Sequence, residues 1–422
     1  MFDLELTWDR PAQYRPAQLS SQQPNHSDSN HVLRVRIIPR NLPSLPLRIT
    51  IALDTSGSMA GEKLQRAKEA CLAVVTQLRD IDQLSLAGYS TKVTPLLQSL
   101  TGGDAAVTLE NAIAELQAGG VTRMDLALDW IEKNLPPEES TPLVGILITD
   151  GHATNNRGVP LDDVTPLIDK AQKMRSCGIT LCAVGLGDAA NFNTSFLSDL
   201  TDKGGGVFIY ADTPDKLSSQ LQNRLKADQE IAIVDAKLRL TLATGVKPTG
   251  YCRLRPEYLP QEKTGENELS LGTLRRDCPT DILIALDIPP IGFGEPLRSR
   301  DMISVELTAC GLQTPIAKTA AITYTSSYRE AQKVNTEVNR DRRYWDINLY
   351  SKEVIDIEDS NPKRTAELLT NIQVAATQAG ETDMANQAAQ QLDDLKKTGK
   401  VNPDNATGML THSRNLGNKN TY

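Results

Sequence analysis

The sequence lacks a hydrophobic run long enough to cross a membrane. A spanning helix needs about 20 consecutive apolar residues, and no stretch of the 422-residue chain approaches that length. The first residues, MFDLELTWDRPAQYRP, carry acids and prolines where a secretory signal peptide would carry a basic cap and an apolar run. We therefore expect a cytoplasmic protein without a membrane span.

Aromatic side chains and positive charge are also scarce. The chain has 3 Trp, 10 Tyr and 5 Phe, and its 45 Lys and Arg against 53 Asp and Glu give a net charge of −8. A nucleic-acid binder usually carries a basic surplus, because neutralising phosphates supplies much of its affinity. Proteins that bind single strands also stack bases on aromatic rings. Nucleic acid is therefore not an expected partner.

Cysteine and histidine occur in no pattern typical of zinc binding or catalysis. The 6 cysteines include no CxxC pair and are too sparse for a disulfide framework, so we expect reduced thiols. The 4 histidines are too dispersed to form a triad with a serine. No G-x-x-x-x-G-K-[ST] loop is present to hold a nucleotide triphosphate.

Strands and helices alternate in residues 47–228. The strands are near-continuous apolar runs, which is typical of a parallel sheet covered on both faces. Amphipathic helices are predicted over residues 62–79, 105–117, 126–134, 162–177 and 215–226. The pattern predicts a doubly wound, mostly parallel α/β domain. The predicted strands are residues 49–53, 84–89, 143–149, 179–185 and 206–210.

The rest of the chain has a different period. Residues 229–325 alternate with period two and predict an antiparallel β-sandwich. The two strand-like runs in residues 1–46 are too few to bury a face alone, so we expect them to join this sandwich and leave the α/β domain inserted between its strands. Residues 326–398 are predicted to be helical, with a helical hairpin broken at Gly380. Residues 399–422 lack periodicity, and we expect them to be disordered.

Three polar motifs follow predicted strands or precede a helix at one edge of the α/β sheet. They are Asp54-Thr55-Ser56-Gly57-Ser58, Gly119-Gly120-Val121-Thr122 and Thr149-Asp150-Gly151. Ligands of open α/β sheets bind beyond the carboxyl ends of the strands. The motifs offer five side chains with oxygen donors and none with nitrogen or sulfur, which suits Mg²⁺ (or Mn²⁺ or Ca²⁺) rather than zinc. The five candidate metal ligands are Asp54, Ser56, Ser58, Thr122 and Asp150.

The stretches DTSGSM, GGVTRMD and ITDG, in this order and at these separations, resemble a von Willebrand factor A (VWA) domain with a metal-ion-dependent adhesion site, of the bacterial intracellular type. The resemblance covers about residues 47–226. It implies that Ser56, Ser58 and Thr122 bind Mg²⁺ directly, whereas Asp54 and Asp150 act largely through water. It also implies that an acidic side chain of a partner completes the coordination.

The expected function is that of a non-enzymatic binding module or scaffold. It would capture an Asp or Glu of a protein partner through the divalent cation, and the C-terminal helices would offer a surface for docking or self-association. Two alternatives are an exported adhesion protein and a Mg²⁺-dependent hydrolase. A haloacid-dehalogenase-like phosphatase would need a second acid two residues after Asp54, where Ser56 stands.

Overall fold

The computed structural model describes residues 2–15, 29–263, 265, 267–292, 294–357 and 360–420. The strands in these residues are β1 (Phe2–Trp8), β2 (Ala12–Tyr14), β3 (Asn30–Pro39), β4 (Arg48–Asp54), β5 (Gln83–Tyr89), β6 (Val93–Thr101), β7 (Leu143–Thr149), β8 (Ile179–Leu186), β9 (Gly205–Ala211), β10 (Ile231–Leu242), β11 (Lys247–Arg255), β12 (Leu259–Pro260), β13 (Glu268–Arg275), β14 (Thr280–Asp287), β15 (Ser299–Thr308) and β16 (Ile316–Thr325).

The helices are α1 (Glu62–Val75), α2 (Gly102–Ala114), α3 (Met124–Asn134), α4 (Thr165–Ser176), α5 (Thr194–Gly204), α6 (Pro214–Gln229), α7 (Tyr328–Ala331), α8 (Thr336–Ile357), α9 (Pro362–Ala379), α10 (Thr382–Thr398) and α11 (Pro403–Asn415). Short 3₁₀ turns span Gly57–Met59, Ala189–Asn191 and Leu416–Asn420. Among the described helices, none combines the length and the apolar character that a membrane crossing requires.

The α/β domain is a six-stranded sheet with helices on both faces. The strand order is β6-β5-β4-β7-β8-β9, and β6 alone in this sheet runs antiparallel to its neighbour. Helices α1, α2 and α6 cover one face and α3, α4 and α5 cover the other. All seven residues of β7 are buried, because both of its faces lie under helices. The predicted doubly wound sheet is confirmed.

The chain order of the strands reverses between β4 and β7. These strands are parallel neighbours, with Leu53 paired to Ile148. The helices that follow them leave toward opposite faces of the sheet, so a crevice opens between the two carboxyl ends. Asp54 and Asp150 therefore stand on adjacent strand ends, as the motif positions predict.

Two five-stranded sheets form the β-sandwich. Their strand orders are β1-β3-β14-β11-β12 and β13-β10-β15-β16-β2, and their inner faces share one apolar core. Strand β3 lies between β1 and β14, so the prediction that the amino-terminal strands join the sandwich around an inserted α/β domain is confirmed. Strand β2 was not predicted. It lies between the two predicted amino-terminal strands, and residues 16–28 fall outside the described part of the chain.

The C-terminal helices cover the outer face of the first sandwich sheet. Apolar residues of β3, β11 and β14 pack there against α8 to α11. Gly380, with φ of 82°, ends α9 before α10 turns back on it, so the predicted helical hairpin is confirmed.

The prediction that residues 399–422 are disordered is wrong for the described residues of that segment. Residues Pro403–Asn415 form α11, and the side chain of Asn402 accepts a hydrogen bond from the backbone N–H of Asn405 (3.0 Å) at its start. Met409, Leu410 and Leu416 are buried. Local periodicity missed this helix because few of its residues are large and apolar, and polar contacts to the α/β domain fix much of it.

Candidate metal site

Asp54 is the last residue of β4, and its carboxylate is fully buried beneath the strand ends. The backbone N–H of Ser56 donates to Oδ1 (2.7 Å) and the Thr149 hydroxyl donates to Oδ2 (2.8 Å). Burial raises the pKa of Asp54 to about 6, against the lowering effect of these hydrogen bonds. The carboxylate is therefore held in one orientation between β4 and β7.

The side chains of Ser56, Ser58 and Asp150 form a hydrogen-bonded chain next to Asp54. The hydroxyls of Ser56 and Ser58 lie 3.1 Å apart, and the Ser58 hydroxyl donates to Oδ1 of Asp150 (2.7 Å). Ser58 lies in the 3₁₀ turn after β4 and Ser56 immediately precedes it, and the fully buried side chain of Met59 anchors this turn in the core. The turn thus points both hydroxyls toward the carboxylate of the neighbouring strand end.

Thr122 reaches the same place from the loop before α3. Its backbone N–H donates to the Thr154 hydroxyl (3.0 Å), and the Thr154 N–H donates back to the Thr122 carbonyl (2.9 Å). A β-carbon placed on Gly151 would lie 3.6 Å from Oγ1 of Thr122 and 3.7 Å from Oγ of Ser58. Both hydroxyls therefore lie close to Gly151, just after the end of β7.

Backbone hydrogen bonds hold the first two loops together. The N–H of Gly57 donates to the carbonyl of Gly120 (3.2 Å), and the N–H of Gly119 donates to the carbonyl of Thr55 (2.8 Å). The structure therefore brings all five predicted residues to one edge of the sheet.

The donors fit a hard cation better than a transition metal. Among the described residues, no group of three or more His, Cys, Asp and Glu side chains could hold a metal ion, so zinc-type ligation has no support at this edge. Two carboxylates and three hydroxyls instead offer oxygen donors of the kind that Mg²⁺, Mn²⁺ and Ca²⁺ prefer.

Lys63 is a member of the site that the motifs did not predict. Its Nζ donates to Oδ2 of Asp150 (2.6 Å), the carboxylate oxygen that Ser58 does not use. Lys63 lies in the first turn of α1, where the helix dipole favours acids over bases.

Comparison with known proteins identifies the α/β domain. Residues 49–224 match the family model of the von Willebrand factor type A domain. The inter-alpha-trypsin inhibitor heavy chain H3 of Mesocricetus auratus is 30% identical over 193 residues, which cover 43% of this chain and 21% of that protein. An uncharacterized protein of Synechocystis sp. is 25% identical over 279 residues, which cover 63% of each chain. This chain thus spans between about a fifth and two thirds of the length of these curated relatives.

Two solved structures match almost the whole chain. The von Willebrand factor type A protein from Catenulispora acidiphila has a TM-score of 0.79 at 16% identity and covers 98% of this chain and 96% of its own. The ArnB paralog VWA2 from Sulfolobus acidocaldarius has a TM-score of 0.60 at 17% identity, with 99% of both chains covered. At this identity the matches show a shared fold that extends beyond the α/β domain to the sandwich and the helices.

Proposed function

Residues 49–224 form a von Willebrand factor type A domain, and we propose that this domain captures an acidic residue of a protein partner through a divalent cation. Domains of this family generally mediate protein–protein interactions. The observation that carries the proposal is the convergence of Asp54, Ser56, Ser58, Thr122 and Asp150 from three loops.

The neutral hydroxyls are the groups we assign to direct contact with the cation. Ser58 is exposed, whereas Ser56 and Thr122 are buried. The Ser56 hydroxyl lies 3.1 Å from that of Ser58, and the Ser58 and Thr122 hydroxyls both lie close to Gly151. Asp54 and Asp150 already accept hydrogen bonds on both of their oxygens, so we assign them to contact largely through water. A bound Mg²⁺, or Mn²⁺ or Ca²⁺ in its place, would supply a coordination position for one further oxygen anion.

The same contacts favour binding over catalysis. Asp54 and Asp150 are both fully buried. Since hydrogen bonds hold their oxygens, neither carboxylate is placed to attack a substrate or to exchange protons with one. A non-enzymatic role is therefore the function that this geometry supports best.

Two finer proposals concern the setting of the protein. We place it in the cytoplasm, because all six cysteines are free thiols and disulfides are rare in that compartment.

We assign self-association to the C-terminal helices, where Leu349 of α8 exposes 49% of its surface and Val374 of α9 exposes 51%.

Affinity capture with the purified chain tests the proposed function. Protein captured from native lysate in Mg²⁺ should elute with EDTA, and Ser56→Ala should abolish this EDTA-sensitive fraction because it removes a proposed ligand. The matched control is Ser219→Ala on the exposed face of α6, where the hydroxyl donates to the Lys216 carbonyl (2.9 Å), far from the proposed ligands in sequence. Recovery of the same proteins by wild type, Ser56→Ala and EDTA-treated samples would show that no cation bridges the partner.

A further inference from the structure

The position of Lys63 is unusual for a helix start. Helix α1 follows Gly61, which supplies no side-chain cap, and Lys63 lies in its first turn. The positive end of the helix dipole repels a cation there. The ion pair with Asp150 offsets this repulsion.

Lys63 changes the charge of the site. Asp54 and Asp150 would neutralise a divalent cation completely if they were the only charged groups. With the Lys63 ammonium 2.6 Å from Oδ2 of Asp150, the site carries one net negative charge when empty and one net positive charge when a divalent cation is bound. A carboxylate from a partner would then bring the total to zero.

We propose that Lys63 couples the two binding events by weakening the site for a cation alone and strengthening the cation-loaded site for a carboxylate. The proposal rests on the proposed function and adds the order of binding: the cation is held firmly only together with an acidic ligand. The physical reason is Coulombic, because a fixed positive charge next to the site opposes the cation and attracts the anion.

A purely structural role for Lys63 leads to a different result. If the lysine only fastened α1 to the end of β7, its removal would change stability and leave cation affinity unaltered. The Asp150 carboxylate argues for the charge-setting role, since it is fully buried and shares its two oxygens between Ser58, a proposed cation ligand, and Lys63. The Lys63 ammonium at Oδ2 therefore acts electrostatically on a carboxylate that is hydrogen-bonded to a proposed cation ligand.

Isothermal titration calorimetry of the purified full chain with Mn²⁺ tests the proposal. Lys63→Met and Lys63→Gln should bind Mn²⁺ at least about tenfold more tightly than wild type. Lys63→Arg keeps the charge and should restore the wild-type affinity. Lys68→Met is the matched control, because this lysine is on the same helix and its Nζ donates to the Leu116 and Ala114 carbonyls instead of a carboxylate (2.6 and 3.1 Å).

A second titration replaces chloride with acetate at equal ionic strength. Acetate should tighten Mn²⁺ binding by wild type more than by Lys63→Met, since the lysine supplies part of the attraction for the anion. Equal Mn²⁺ affinity in wild type, Lys63→Met and Lys63→Gln, or an equal acetate effect in all three, would overturn the role of Lys63 and leave the metal site intact. Absence of Mn²⁺ binding in every variant would overturn both the role of Lys63 and the proposed function.

Discussion

Asp54 depends on a small number of hydrogen bonds for its place in the site. Its carboxylate is fully buried, and the Thr149 hydroxyl donates to it at 2.8 Å from the neighbouring strand. A buried carboxylate that loses a hydrogen-bond donor destabilises the folded state, because the lost hydrogen bond no longer offsets the cost of its desolvation. Thr149, which the motifs did not mark as a functional residue, therefore stabilises both the fold and the orientation of Asp54.

A pair of Thr→Val substitutions tests this contribution. Thr149→Val should lower the free energy of unfolding by about 1–3 kcal/mol, because it removes a hydrogen bond to a buried carboxylate. Thr50→Val, in the same sheet, should be neutral or slightly stabilising, because the fully buried Thr50 hydroxyl has no hydrogen-bond partner among the described residues. Urea unfolding measures both, and equal losses of stability in the two variants would contradict this account.

The five oxygen-bearing residues could be predicted because strand ends and glycine turns are local patterns. An apolar run that ends in Asp-x-Ser-x-Ser fixes where Asp54, Ser56 and Ser58 lie relative to the sheet. Lys63 and Thr149 could not be assigned a role in this way, since their contacts depend on how α1 and β7 are placed in three dimensions. The sequence therefore predicts the donors, while their supporting contacts need the structure.

At the scale of elements, several of the helices and strands that sequence reasoning missed have weak apolar patterns. Helix α5 was also not predicted, although its Phe196, Leu197 and Leu200 are buried. Strand β6 lies at the sheet edge, contains Pro95, and fully buries only Leu97, so it shows no continuous apolar run. Helix α11 is polar over most of its length. Central strands such as β7, in contrast, were predicted because burial on both faces requires an unbroken apolar sequence.

Polar contacts attach α11 to the carboxyl-end edge of the α/β sheet. Asp404 accepts hydrogen bonds from the backbone N–H of Ala189 (2.7 Å) and from the Tyr210 hydroxyl (2.5 Å). Arg414 donates to Asp202 (2.7 Å) from the other end of the helix. The C-terminal helices are therefore fastened to both the sandwich and the VWA domain.

Substitution of Asp404 tests this attachment. Asp404→Ala should lower the free energy of unfolding by about 1–3 kcal/mol, because it leaves two donors without their acceptor. Asp383→Ala is the control, since Asp383 is also in the first turn of a helix but is exposed, and removing it changes only the interaction with the helix dipole, worth about 0.3–1 kcal/mol. Thermal or urea unfolding that gives equal effects for the two would show that Asp404 does not fasten α11.

At the scale of the whole molecule, the segments before and after the VWA domain in sequence fold together into the β-sandwich and the helices that cover it. Strand β3 from before the domain pairs with β14 from after it, and Arg34 of β3 forms an ion pair with the fully buried Asp341 of α8 (2.9 Å). The insertion was predictable, because two strands cannot bury a face alone. The route of the C-terminal helices over the outer sandwich face was not, since it depends on contacts distant in sequence.

The proposed cation site lies at the carboxyl ends of the adjacent central strands β4 and β7. The most direct test of this central claim is a crystal structure of the full chain grown or soaked with Mn²⁺, with anomalous diffraction data. We expect one anomalous peak bounded by the hydroxyls of Ser56, Ser58 and Thr122, about 2.0–2.3 Å from each oxygen. A well-ordered site with no peak at these hydroxyls, at Mn²⁺ concentrations that saturate binding in solution, would contradict the account.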